Sequence, residues 1–166
     1  MAYQPGLHSS RGLKAEALWR TGRTDEAVAL WEENATLYLQ LGEERGARCT
    51  RLRLAEARAA SGRPDDLQAA LQAVQAELPA MALAESLSAG QFLLAARLAA
   101  WRVLQQAGDA QAPVQLALAE AELQNLLDGH ADPAVRQRVA QNVPWHRDVR
   151  EARAQADAAL APGAAI

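Results

Sequence analysis

A chain of 166 residues with 17 basic and 20 acidic side chains, a formal charge of −3 and one cysteine is long enough for one domain with a sizeable core. The charge argues against a general nucleic-acid binder, which needs a basic field. The lone Cys49 excludes an intrachain disulfide and a cysteine-rich zinc site.

Forty alanines against a single phenylalanine predict closely packed helices, with leucine and four tryptophans as the bulky layer, because alanine is the best helix former. No alternating run of β-branched or aromatic residues signals a strand. Sixteen of the seventeen basic residues are arginine, a bias expected from a GC-rich genome. The opening Met-Ala-Tyr-Gln-Pro-Gly lacks the basic-then-apolar pattern of a signal peptide, and no run of 18 uncharged apolar residues occurs, so the expected location is the cytoplasm, away from membranes.

Residues 1–11, with Pro5, Gly6 and Ser9-Ser10, read as an irregular lead-in. A first helix is expected from about Gly12 to Thr21, ended by Gly22, a residue that accepts the left-handed backbone of a helix C-terminus. Thr24 then offers a cap for the second helix, and Asp25 and Glu26 favour its first turn. Along that helix Ala27, Leu30, Trp31, Tyr38 and Leu41, with Leu37 beside them, recur at the three-, four- and seven-residue spacing of a buried stripe. Gly42 ends it. A third helix, about Glu44 to Ser61, buries Leu52, Leu54, Ala55 and Ala59.

Pro64 suits the first turn of a fourth helix, expected to reach Leu78 before Pro79. From Pro79 to Gly108 two readings stand. Either Gly90 divides a short helix, Met81 to Ala89, from a longer one, Gln91 to Ala107, or a single helix runs through. Further helices are expected at Ala112 to Leu127, Pro133 to Gln141 and Pro144 to Ala159, before a disordered tail, 161–166. The whole gives an all-α chain of about seven or eight helices, organised as one domain over 12–160. Its units fall at about 12–42, 44–78 and 80–129, with closing helices at 133–160.

The most informative pattern is a repeated turn. Gly22-Arg23-Thr24-Asp25-Glu26-Ala27 is echoed by Gly62-Arg63-Pro64-Asp65-Asp66-Leu67 and more weakly by Gly108-Asp109-Ala110, forty and then forty-six residues apart. A helix–Gly–acidic–helix unit that recurs signals a repeat architecture, in which each helix pair covers the apolar face of its neighbour.

The stretch Ala15 to Trp31 resembles a tetratricopeptide repeat, with Ala15, Leu18, Gly22, Ala27 and Trp31 in that family's small, large, turn, small and aromatic positions. The second unit keeps Leu54, Ala55 and Gly62 but has Leu67 and Leu71 where Ala and an aromatic are usual. The third keeps the Gly-Asp turn. The segments 39–47 and Asn142-Val143-Pro144-Trp145-His146-Arg147-Asp148-Val149 are similar to the long-period arrays ending large bacterial transcription activators and signalling proteins. This resemblance implies a tetratricopeptide-like α-solenoid whose first helices line a concave groove. In that register the groove carries Glu16 and Trp19, then Leu52, Glu56 and Ala59, then Leu98, Arg102 and Gln105. The cluster of Lys, Arg and Asn with which some members grip a terminal carboxylate is missing.

Several other residues are expected to have structural roles. Trp31 belongs to the core and Trp145 caps the last pair, whereas Trp19 and Trp101 are the tryptophans with a chance of facing a groove. Arg48, Arg51 and Arg58 read as a solvated face laced with Glu44 and Glu56 rather than an anion stripe. Cys49 reads as a buried filler. His8, His130 and His146 are too scattered for a metal or a catalytic centre, and no phosphate loop or nucleophile motif occurs. The expected function is therefore a non-catalytic regulatory or scaffold module, with no cofactor and no metal, that binds a protein or peptide segment. A ligand-sensing regulatory domain and a homo-oligomerisation module are the alternatives.

Overall fold

The structure is a computed structural model that describes residues 7–83 and 90–160. Those residues form eight α-helices and no strand: α1 (Leu7–Arg20), α2 (Thr24–Gln40), α3 (Glu44–Ala59), α4 (Pro64–Leu83), α5 (Gly90–Gln106), α6 (Ala112–Asp128), α7 (Pro133–Asn142) and α8 (Pro144–Leu160). None is long and apolar enough to cross a membrane. The chain divides into two compact units, 1–86 and 87–166.

In the first unit each helix packs on the next, α1 on α2, α2 on α3 and α3 on α4. The turns are built alike. Gly22 and Gly42 have φ of 79° and 71°, and Gly62 and Gly108 share this left-handed conformation. At the first turn the Gly22 amide donates to the Trp19 carbonyl (3.0 Å) and the Arg23 amide to the Leu18 carbonyl (2.9 Å). This paired closure satisfies carbonyls that the helix end would otherwise strand. Gly42 and Glu43 repeat it on Leu39 and Tyr38, and Gly108 and Asp109 on Gln105 and Leu104.

The buried face of α2 comprises Ala27, Trp31, Asn34, Ala35 and Tyr38. Leu30 and Leu37 are half-buried, and Leu41, expected on the stripe, is 40 % exposed because the helix has ended at Gln40. Ala15, Leu18, Ala27, Trp31 and Ala57 form one apolar cluster, so the small residues let three helices approach around a single indole. Gly46 serves the same end: a Cβ there would overlap the Tyr38 ring.

Several boundaries differ from the sequence expectation. α1 starts at Leu7, running through Gly12, a residue that costs only about 1 kcal/mol inside a helix. Thr24 is helical, so the cap position falls to Arg23, which makes no capping hydrogen bond. Its guanidinium instead donates to Glu26, Nε to Oε1 and Nη2 to Oε2, both at 2.6 Å.

α4 does not stop at Leu78 but continues through Pro79 to Leu83. An internal proline costs roughly 3 kcal/mol, and burying Met81, 2 % exposed, offsets about 1.5–3 kcal/mol of that. Gly90 is the first residue of α5. The remainder of the expected Met81–Ala89 helix, 84–89, lies outside the described residues, as do residues 1–6 of the expected lead-in 1–11, whose residues 7–11 are helical, and the tail 161–166.

In the second unit α5 packs on α6, and α8 packs on both. The short α7 joins them, opened by Asp132, whose side chain accepts the Ala134 amide (2.8 Å). From Leu93 to Leu104 every residue of α5 except half-buried Arg102 is buried, the pattern of a helix enclosed all round. Trp101 and Trp145 are both core residues, at 4 % and 8 % exposure.

Candidate functional site

Glu16 on α1, Trp31 on α2 and Arg53 on α3 meet in the first unit. The Arg53 guanidinium donates to Glu16 Oε2 through Nη2 (2.7 Å) and to Glu56 Oε2 through Nη1. It also lies over the Trp31 ring, 5.1 Å from the centroid. Arg20 Nε donates to the other oxygen of Glu16 (2.7 Å). All three central side chains are almost wholly enclosed, 8 % exposed for Arg53, 8 % for Glu56 and 11 % for Glu16. Buried charge persists only when paired and hydrogen-bonded, so this cluster pins three successive helices in one register.

A groove opens beside the cluster. Its floor is apolar: Trp19 from the end of α1, Val28 from α2, and Leu54 and Ala57 from α3. Trp19 is half-buried and leans on Trp31, with ring centroids 5.9 Å apart and planes inclined by 52°. One wall is α2, presenting Asp25 and Glu32 on either side of Val28. The positions 25, 28 and 32 are three and seven residues apart and so share a helix face.

The other wall carries Arg58 of α3, Ser61 and Arg63 of the turn that follows, and Asp66 of α4. Asp66 accepts from Ser61 Oγ and from Arg63 Nε, each at 2.6 Å, which holds its carboxyl below the usual carboxylate range. The groove encloses about 370 Å³, at the small end of ligand pockets. Its two lips are the repeated turns, which explains why a sequence echo forty residues apart becomes one local feature.

The eight residues that the resemblance places in a groove are distributed unevenly. Trp19 lies in this one. Glu16 and Glu56 are brought together by Arg53 beneath it, and Leu52 and Ala59 are core residues at 1 % and 2 % exposure. Leu98, Arg102 and Gln105 all stand on α5 in the second unit: Leu98 is buried, Arg102 is half-buried with Nη2 4.0 Å from Asp148, and Gln105 is exposed.

Arg53 was not among the expected residues. Its one legible signal is the three-residue spacing to Glu56 on the same helix. Arg48 and Arg51 form neither an anion stripe nor a face laced with Glu44. Both bind Glu77 of α4, at 3.1 and 2.5 Å. Cys49 is half-buried rather than enclosed, and burial raises its thiol pKa, so it is a poor nucleophile.

A second, smaller hollow of about 290 Å³ lies in the other unit between α6 and α8, lined by Leu123, Leu127, Val149, Arg150 and Arg153 among others. His146 is buried at 2 % exposure, its Nδ1 3.2 Å from the Val139 carbonyl oxygen. Among the described residues its Nε2 has no hydrogen-bond partner, and no group of three His, Cys, Asp or Glu could hold a metal ion. Comparison with known proteins finds no family model, no curated protein and no solved structure that matches this chain.

Proposed function

We propose that this chain is a non-catalytic docking module whose first unit is a pair of tetratricopeptide-like antiparallel helix pairs, α1–α2 and α3–α4, and that its groove receives a segment of another protein. The observation that carries the reading is the groove floor. Trp19, Val28 and Leu54 are apolar, half-buried and flanked by charged side chains. Binding hot spots have this form, an aromatic anchor in a concave apolar patch within a polar rim.

Support for the repeat reading comes from Gly22 and Gly62, each followed by an arginine that pairs with the acid three residues on, Arg23 with Glu26 and Arg63 with Asp66. The buried Glu16–Arg53–Glu56 cluster supplies the rigidity that display requires, since a preorganised surface loses less entropy on binding. Selection from a displayed peptide library tests the reading. Enriched peptides should lose most of their affinity for the Trp19→Ala protein. Failure to enrich any peptide, or equal binding to Trp19→Ala, would refute it.

A further inference from the structure

Resting on that reading, we infer that the groove selects a short amphipathic helix carrying Lys or Arg at positions i and i+7 around an apolar residue at i+3 or i+4. The selective wall is α2. Asp25 and Glu32 are exposed and line the groove, and among the described residues neither carboxylate has an ion-pair or hydrogen-bond partner. Of the other carboxylates at these turns, Glu26 is held by Arg23 and the groove-lining Asp66 by Arg63 and Ser61, whereas exposed Asp65 does not line the groove.

Seven residues along a helix span about 10.5 Å. The wall therefore offers two negative charges two turns apart, with Val28 and the Trp19 floor between them. A ligand helix laid along α2 meets this pattern with its own seven-residue period, cation to carboxylate at each end and an apolar side chain between. That is the helix-in-groove mode of recognition. Arg58, exposed on the facing wall, favours a carboxylate along the far edge of the ligand and so fixes its orientation. Charge placed in this way contributes more to specificity than to affinity.

The test uses the full chain and two fluorescein-labelled 15-residue helical peptides, identical except for Lys or Glu at positions i and i+7 around the same leucine pair. Fluorescence anisotropy should show the Lys peptide binding about tenfold tighter than the Glu peptide in low salt, each rim pair contributing a factor of roughly two to five. The preference should shrink at 0.5 M salt as screening shortens. Asp25→Asn/Glu32→Gln should abolish the preference while leaving the helical circular dichroism unchanged, and Trp19→Ala should weaken both peptides.

Equal binding of the two peptides, with Trp19→Ala still weakening both, would overturn the inference and leave the docking reading standing. Absence of any binding to the groove would overturn both. Self-association of the chain that the Lys peptide cannot displace would assign the groove to a second copy and overturn the inference.

Discussion

Arg53→Ala is the perturbation with the largest consequence. It removes the cation that Glu16 and Glu56 share and the face-on contact with Trp31. Removing one partner of a buried pair costs about 3–5 kcal/mol, because the remaining charge is left enclosed. The lower end of that range applies here, since Arg20 still holds Glu16 from its more exposed side. Loss of the cation–π contact adds about 1–2 kcal/mol. Urea unfolding followed by far-ultraviolet circular dichroism and tryptophan fluorescence should therefore show a loss of at least about 3 kcal/mol with an unchanged denaturant slope. The fluorescence change should be dominated by Trp31 beneath the guanidinium. Replacing the cluster by apolar residues, Glu16→Leu/Arg53→Met/Glu56→Leu, should return stability to within about 1 kcal/mol of the parent or above it. A cost below about 1 kcal/mol for Arg53→Ala would refute the reasoning, because that is the value of a solvated pair.

Other expectations are smaller and independent. Gly22→Ala meets open space but a φ of 79°, so it should lower stability by about 1–2 kcal/mol through backbone strain alone. Gly46→Ala should cost about 1–3 kcal/mol by overpacking against Tyr38, and most of that cost should vanish in a Tyr38→Leu background. A vanished coupling between those two positions would contradict the contact. His146 is held below its ordinary value of 6.5, chiefly by burial, so its contribution to stability is present above about pH 6.5 and falls as the pH drops from there towards its folded-state pKa. Thermal melts between pH 7.5 and 5 should show this decline, and His146→Gln should flatten it.

Most helices were legible where a proline, a glycine or an apolar stripe marked them. Pro133 and Pro144 opened α7 and α8, Gly42 and Gly108 closed α2 and α5, and the apolar stripe of α2 ran between its turns. Pro79 misled because local propensity counts the lost hydrogen bond and not the burial of Met81 beyond it. The expected cap at Thr24 failed because Arg23 and Glu26 settle the turn by an ion pair.

Within the groove, Trp19 was legible from its place just before the turn. The residues on α2 and α3 that face it were not, because the lateral neighbours of a helix follow from rotation about its axis. Arg53 and Glu77 illustrate the deeper limit. A charged residue reads as solvent-facing until its partner, thirty-seven positions from Arg53 in the case of Glu16 and twenty-six from Arg51 in the case of Glu77, is known to lie opposite.

The most direct measurement is a two-dimensional nitrogen–proton spectrum of the labelled chain during titration with the Lys-bearing helical peptide. The Trp19 indole and the amides of Asp25, Val28, Glu32 and Leu54 should shift together and saturate with one dissociation constant. Shifts confined to residues 90–160, or no shift of the Trp19 indole at saturation, would contradict the assignment of the groove as the docking site.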